Sequence, residues 1–207
     1  KPYSKHPKAK IAYHVDCGHL FTIDTVTYSN FPLNADSLIA ASADEAKIKS
    51  GSPFDVVSLD AERNRLSSLF RNNGYYYYQP SYASYRADTV NTPGKVKLDV
   101  ELADNLPEKA LKKWYIGNIS INLRRTFMEE LKDSIHYYFF HAYFNGKKPP
   151  VRPRLIMSDM KLRHGQPYDY SKHTESNNRI ASKGMFSSVD FQFTPRDTTA
   201  ACDTLDL

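Results

Sequence analysis

The sequence predicts an α+β fold of two tandem βααββ units, each a small sheet covered on one face by two helices. Three observations lead there. The stretch from Gly51 to Tyr78 reads as a turn, an amphipathic helix, a glycine stop and an aromatic strand. The same order returns from Gly165 to Phe193. Ahead of each copy stands a strand whose alternation slips at one place, Asp24-Thr25 in the first and Gly117-Asn118 in the second. Gly51, Pro53, Phe54 and Asp55 answer to Gly165, Pro167, Tyr168 and Asp169. Asn64-Arg65-Leu66 answers to Asn178-Arg179-Ile180, and Gly74-Tyr75-Tyr76 to Gly184-Met185-Phe186. A unit that occurs twice is a structural module rather than a one-off active site.

Taken in order, Lys10 to Asp16 alternates Ile11, Tyr13 and Val15 with polar neighbours, the pattern of a strand. Leu20 to Ser29 is a second strand, with a bulge expected at its phase slip. Asn34 or Asp36 can cap a short helix reaching Ala46. The long helix is expected to start at Ser58, with Asp60 and Glu62 in its first turn, where the helix dipole favours negative charge. Leu59, Leu66, Leu69 and Phe70 form its apolar stripe, and Arg63, Arg65 and Arg71 lean to the other side or the C-terminal end. Asn73-Gly74 stops it, since glycine takes the left-handed conformation that a helix C-terminus uses. Tyr75 to Asp88 is expected as a strand at a sheet edge, because Pro80 cannot donate to a ladder. After a hairpin connection at Asn91 to Gly94, Lys95 to Leu102 alternates cleanly, with Val96, Leu98, Val100 and Leu102 inward.

Residues 105–113 read as a polar linker. Trp114 to Leu123 echoes the first unit's opening strand, Ile116 matching Ile23, and Ile119 and Ile121 matching Val26 and Tyr28. Residues 126–150 have no counterpart in the first copy. There Ile135, Tyr137, Phe139, His141 and Tyr143 alternate as one extra strand, which would place His136 and His141 on opposite faces, with Asn145-Gly146 as its turn. Arg154 to Arg163 is the second short helix and Ser171 to Lys183 the second long one, anchored by Ile180. Val189, Phe191 and Phe193 mark the next strand, and Cys202 to Leu207 begins its hairpin partner.

The 207 residues suit one large or two small domains, and the 15 tyrosines and 11 phenylalanines supply material for real cores. The net charge of +5 permits acidic partners and names none. The basic residues are scattered apart from Lys147-Lys148 and Arg152-Pro-Arg154, so the lysine/arginine stripe of a nucleic-acid module is missing, as is the RNA-recognition consensus. A basic, tyrosine-rich base-stacking module stays as an alternative reading. No GxSxG elbow, phosphate loop or HExxH is present, so no enzyme is predicted, and no catalytic residue, cofactor or metal site is expected. His14, Asp16, Cys17 and His19 could be imagined as metal ligands, but the first three lie on or just after an alternating strand, where neighbours point to opposite faces. Cys17 and Cys202 lie in different modules, which argues against a disulfide. The abrupt ends, KPYSKHPKAK and TLDL, fit an excised segment of a longer protein.

On the strand-entry pattern YHVDCGHLFTIDTV, the turn IKSGSPFD, the helix pattern LxxxRxxL and the NGYY passage into an edge strand, nearly the whole chain resembles POTRA repeats. These are the polypeptide-transport-associated repeats of BamA-like and TamA-like outer-membrane proteins. The resemblance implies residues 1–18 as the last strand of a truncated upstream repeat, 19–104 as one repeat, and 114–207 as a second with the 126–150 insertion and a truncated last strand. It implies a periplasmic segment of a Gram-negative outer-membrane protein. Such a segment binds unfolded outer-membrane clients and accessory assembly proteins and passes clients to its own C-terminal barrel, without nucleic acid. A purely structural scaffold for accessory lipoproteins is the other reading. Strand addition at an edge would do the binding. The expected edges are Tyr75, Tyr76, Tyr77, Tyr78, Tyr82 and Tyr85 in the first unit, and Ser187, Ser188, Asp190 and Gln192 in the second. Half of the aromatics there are expected to be core. Gly74, Gly184, Pro53 and Pro167 are assigned to backbone geometry. The insertion is expected to dock a partner protein or a neighbouring repeat.

Overall fold

The computed structural model describes residues 11–207 apart from 17, 91, 127 and 200. The first unit runs β1 (Thr22–Ser29), α1 (Leu33–Ala41), α2 (Val56–Asn72), β2 (Ala83–Asp88) and β3 (Lys95–Leu102). Its sheet has the order β1-β3-β2, with β1 parallel and β2 antiparallel to the central β3. The expected bulge falls between Ile23 and Thr25. Alternation along β3 buries Val96, Leu98 and Val100. Leu98 and Val100 pack with Ile23, Ile39, Leu66 and Phe70.

The second unit runs β4 (Tyr115–Ile116), β5 (Ser120–Asn122), β6 (Asp133–His136), β7 (His141–Phe144), α3 (Pro153–Asp159), α4 (Tyr170–Ala181), β8 (Thr194–Pro195) and β9 (Thr204–Asp206). The repeat holds at the level of single hydrogen bonds. The Ile23 N–H donates to Ser52 O and the Gly51 N–H to Ile23 O; Ile116, Gln166 and Gly165 repeat this pair. Asp55 caps α2 by accepting from the Ser58 N–H, and Asp169 caps α4 by accepting from the Lys172 N–H. The long helix therefore starts at Val56, two residues before Ser58, and no acidic residue lies in its first turn. An aspartate two residues after a proline offers its carboxylate to the third helical N–H, and this outcompetes a serine hydroxyl already inside the helix. Neither Asn34 nor Asp36 caps α1, which follows Pro32 directly and ends at Ala41 before a short 3-10 turn.

On α2, Glu62 lies at helical spacing from Leu59 and Leu66 and faces the core with them. Glu62 is fully buried. Its Oε1 accepts from the Tyr28 hydroxyl at 2.7 Å, its Oε2 from the Lys47 N–H at 2.7 Å, and both oxygens from the Arg65 guanidinium. Arg65 is thus not on the solvent side but buried as well, and it also donates to Ser42 Oγ. In the second unit Ser176 stands where Glu62 stands and repeats only the backbone link, accepting from the Lys161 N–H.

Several expected strands differ. Residues 126–150 form a hairpin, not one strand: Tyr137 to Phe140 turn the chain, so His136 and His141 face each other as cross-strand partners, with Nδ1 atoms 2.6 Å apart. β7 then pairs in parallel with β5, on the side away from Leu207, whose carbonyl accepts from the Ser120 N–H. The insertion therefore widens the second sheet. Residues 11–16 lie outside any ladder, with Ile11, Tyr13 and Val15 exposed; residue 10 is outside the described residues. A strand needs a partner, and none of the described residues pairs with them. Residues 105–113 are not a loose linker, since Ala110 is fully buried and Trp114 Nε1 donates to Lys109 O.

Candidate polypeptide-binding edge

In the first unit β2 is an outer strand. Its register pairs Ser84 with Glu101, Arg86 with Asp99 and Asp88 with Lys97, and the Ala103 N–H donates to Tyr82 O just before it. Antiparallel pairs alternate between bonded and non-bonded, so Ser84, Arg86 and Asp88 turn their backbone groups to β3. Ala83, Tyr85 and Ala87 turn theirs outward. The Ala83 carbonyl is already taken by Arg63 Nε at 3.0 Å. That leaves the N–H and C=O of Tyr85 and Ala87 as the open row. The Tyr85 side chain is anchored inward: its hydroxyl donates to Leu59 O at 2.7 Å, and burial pushes its phenol well above the ordinary value. Tyr85 offers a backbone, not a ring.

The rest of the tyrosine run is not a strand. Pro80 to Tyr82 form a 3-10 turn, and β2 begins only after it. Tyr75 and Tyr78 are buried against Phe70, with ring centroids 5.6 and 4.6 Å away. Tyr76 and Tyr77 point the other way, into the second unit. Tyr76 packs edge-on against Tyr168 and touches Phe193, and Tyr77 packs against Trp114. The cause is Gly74, whose φ of +102° turns the chain sharply after α2. Its carbonyl accepts from the Trp114 N–H, and a Cβ there would lie 3.4 Å from Lys113. The run is a joint: its outer two rings enter the first core and its inner two the second. Arg71 stacked 3.9 Å over the Tyr170 ring, and Asn72 Oδ1 accepting from the Ser171 N–H, extend the joint along the two long helices.

In the second unit, Val189, Phe191 and Phe193 do alternate inward, and Ser187, Ser188, Asp190 and Gln192 are exposed. No ladder reaches them, because on that side β9 gives partners only to Thr194 and Pro195, its other side being taken by β4. Pro195 has no N–H to offer on that edge. Sequence reasoning missed Ala87 and Arg63; the signal was Pro80, which marks where the strand can first begin. Among the described residues, no three His, Cys, Asp or Glu side chains gather as a metal site, and Cys17 lies outside them. Cys202 is a buried free thiol.

Two mixed-sheet βααββ units, joined end to end through a glycine and an aromatic run, define a tandem-repeat α+β protein. That architecture is the POTRA fold, and the comparison with solved structures shows it. The chain superposes on the BamA POTRA3-5 structure of Haemophilus influenzae with a TM-score of 0.54 at 9% identity, covering 90% of this chain and 59% of that one. It superposes on the Haemophilus ducreyi BamA lacking POTRA domains 1–3 with a TM-score of 0.58 at 10% identity, covering 91% of this chain and 28% of that one. The chain therefore spans less than two thirds of either. No family model and no curated protein matches its sequence. Among the described residues no helix is long and apolar enough to cross a membrane.

Proposed function

We propose that this chain is the periplasmic POTRA region of an outer-membrane β-barrel assembly or translocation protein. In this reading it holds unfolded clients by strand addition along β2 and passes them to a barrel C-terminal to it. The open backbone row at Tyr85 and Ala87 is the observation that supports this most directly. About four hydrogen bonds at about 0.5–1.5 kcal/mol each stand against an association cost of at least about 4 kcal/mol. Binding would be weak and indifferent to client sequence, which suits transfer. The repeat-2 residues Ser187, Ser188, Asp190 and Gln192 would at most contribute side-chain contacts.

Ala87→Pro tests the edge. It removes an outward N–H and leaves the ladder to β3 intact, because Ala87 does not donate to it. The expected result is at least a fivefold loss of affinity for an extended barrel-strand peptide, with circular dichroism and melting little changed. A scaffold role, holding accessory proteins at a set geometry, finds support in the welded joint and predicts no change in that assay.

We also infer that residues 1–18 close a preceding unit. Val56 and Val57, 70% and 78% exposed, stand where Tyr170 and Ser171 stand in the second unit. Those two rest on Arg71 and Asn72 of the unit before them. Val56→Ser with Val57→Gln should leave the melting of this chain little changed and lower that of a chain carrying the preceding segment. Equal effects in both would remove the inference.

A further inference from the structure

The insertion, which has no counterpart in the first unit, helps to build a cleft. It has a volume of about 410 Å³, within the usual range of small-ligand sites, and is lined by Ile119, Phe139, Phe140, Arg154, Met157, Ser158, Arg163 and His164. The β6–β7 turn supplies the two phenylalanines, α3 supplies Arg154, Met157 and Ser158, and the loop after it supplies Arg163 and His164. In the first unit the places of Arg154 and Met157 are held by Ser37 and Ala40, and no hairpin stands over them.

The lining divides cleanly. Ile119 and Phe140 are buried and Met157 half-buried, forming an apolar floor under the exposed Phe139 ring. At the rim, neither Arg154 nor Arg163 meets a carboxylate among the described residues, and the lining contains none. Both guanidinium groups are nevertheless held in place. Arg154 stacks 5.3 Å from the Tyr137 ring centroid, and Arg163 donates to the carbonyls of Met160 and Leu162. His164 is fixed by a 2.7 Å hydrogen bond from Nδ1 to Gly117 O. Oriented arginine forks with no internal anion match a carboxylate or phosphate, and an apolar floor beside them matches a hydrocarbon tail.

We propose that this cleft binds a single-chain anionic amphiphile, its carboxylate or phosphate head on Arg154 and Arg163 and its tail on Ile119, Phe139, Phe140 and Met157. This goes beyond the strand-addition reading and does not depend on it.

The probes are dodecanoate, dodecyl phosphate and neutral dodecyl maltoside, each below its micelle concentration. They are titrated against the isotope-labelled chain by NMR. Saturable shifts at Ile119, Phe140, Met157 and His164 are expected with both anions, and the tighter of the two identifies the head group. The maltoside should bind at least tenfold more weakly. Arg154→Ala with Arg163→Ala should cost at least tenfold for the anions without lowering the melting temperature, since both side chains are exposed. Phe139→Ser, on the exposed turn, should weaken binding severalfold by a separate route. Equal binding of the neutral detergent, shifts centred elsewhere, or full affinity in the double variant would overturn the proposal.

Discussion

Replacing Glu62 by alanine is expected to destabilise the first unit by about 3–5 kcal/mol, the usual cost of breaking a buried ion pair from one side. The Arg65 charge would remain in an apolar surround, and Tyr28 and the Lys47 N–H would lose their acceptor. Three elements meet at this carboxylate: β1 through Tyr28, the segment after α1 through Lys47, and α2 itself. Glu62→Leu with Arg65→Met should recover much of the loss, because apolar side chains of similar volume often replace a buried pair at little cost. Urea unfolding of the three proteins measures this. A single variant within 1 kcal/mol of wild type would show that water reaches the pair.

The same carboxylate sets a pH dependence. Burial raises the Glu62 carboxyl, but hydrogen bonds from Arg65, the Lys47 N–H and Tyr28 outweigh that and hold it below the usual value of 4.5. A group depressed on folding stabilises fully above its unfolded value and less as pH falls through its folded value. Wild-type stability should therefore fall as pH drops below about 4.5. The fall should be shallower in Glu62→Gln, whose titrating group is gone.

The second large effect concerns the joint. Tyr76→Ala with Tyr77→Ala should cost about 3 kcal/mol or more, as aromatic truncations in packed settings do. The intact chain is expected to unfold in one transition and this variant in two. Tyr75 and Tyr78 keep the first core filled, while Trp114, Tyr168 and Phe193 lose their neighbours across the junction. Small-angle scattering should then report a larger and more varied separation of the units. A single transition with unchanged dimensions would mean that Arg71 on Tyr170, Asn72 on Ser171 and the Gly74–Trp114 bond hold the junction by themselves.

Much of the fold was legible because its signals are local. The alternation of Lys95 to Leu102 became β3, and the paired GxP turns became matching hydrogen bonds around Ile23 and Ile116. The phase slip at Asp24-Thr25 became a bulge. What failed depended on partners distant in sequence. Ile135 to Tyr143 alternates as one strand, yet the Tyr137–Phe140 turn and the free side of β5 make it a hairpin. Four consecutive tyrosines look like a strand, yet Gly74 sends them into two different cores. Glu62 shares the stripe of Leu59 and Leu66, but a carboxylate reads as a surface residue unless a buried partner such as Arg65 neutralises it. On the candidate edge, the register of β2 separates outward from inward groups. Tyr85 lies on it by backbone alone, and Ala87 was invisible because an alanine has no side chain to draw attention.

Amide NMR on the isotope-labelled chain, with an extended barrel-strand peptide added, tests the central claim most directly. Strand addition on β2 predicts the largest shifts and new exchange protection at the Tyr85 and Ala87 N–H groups, with Ser84 and Arg86 already protected by β3. Perturbation that spares these two amides and is confined to side chains elsewhere would contradict it.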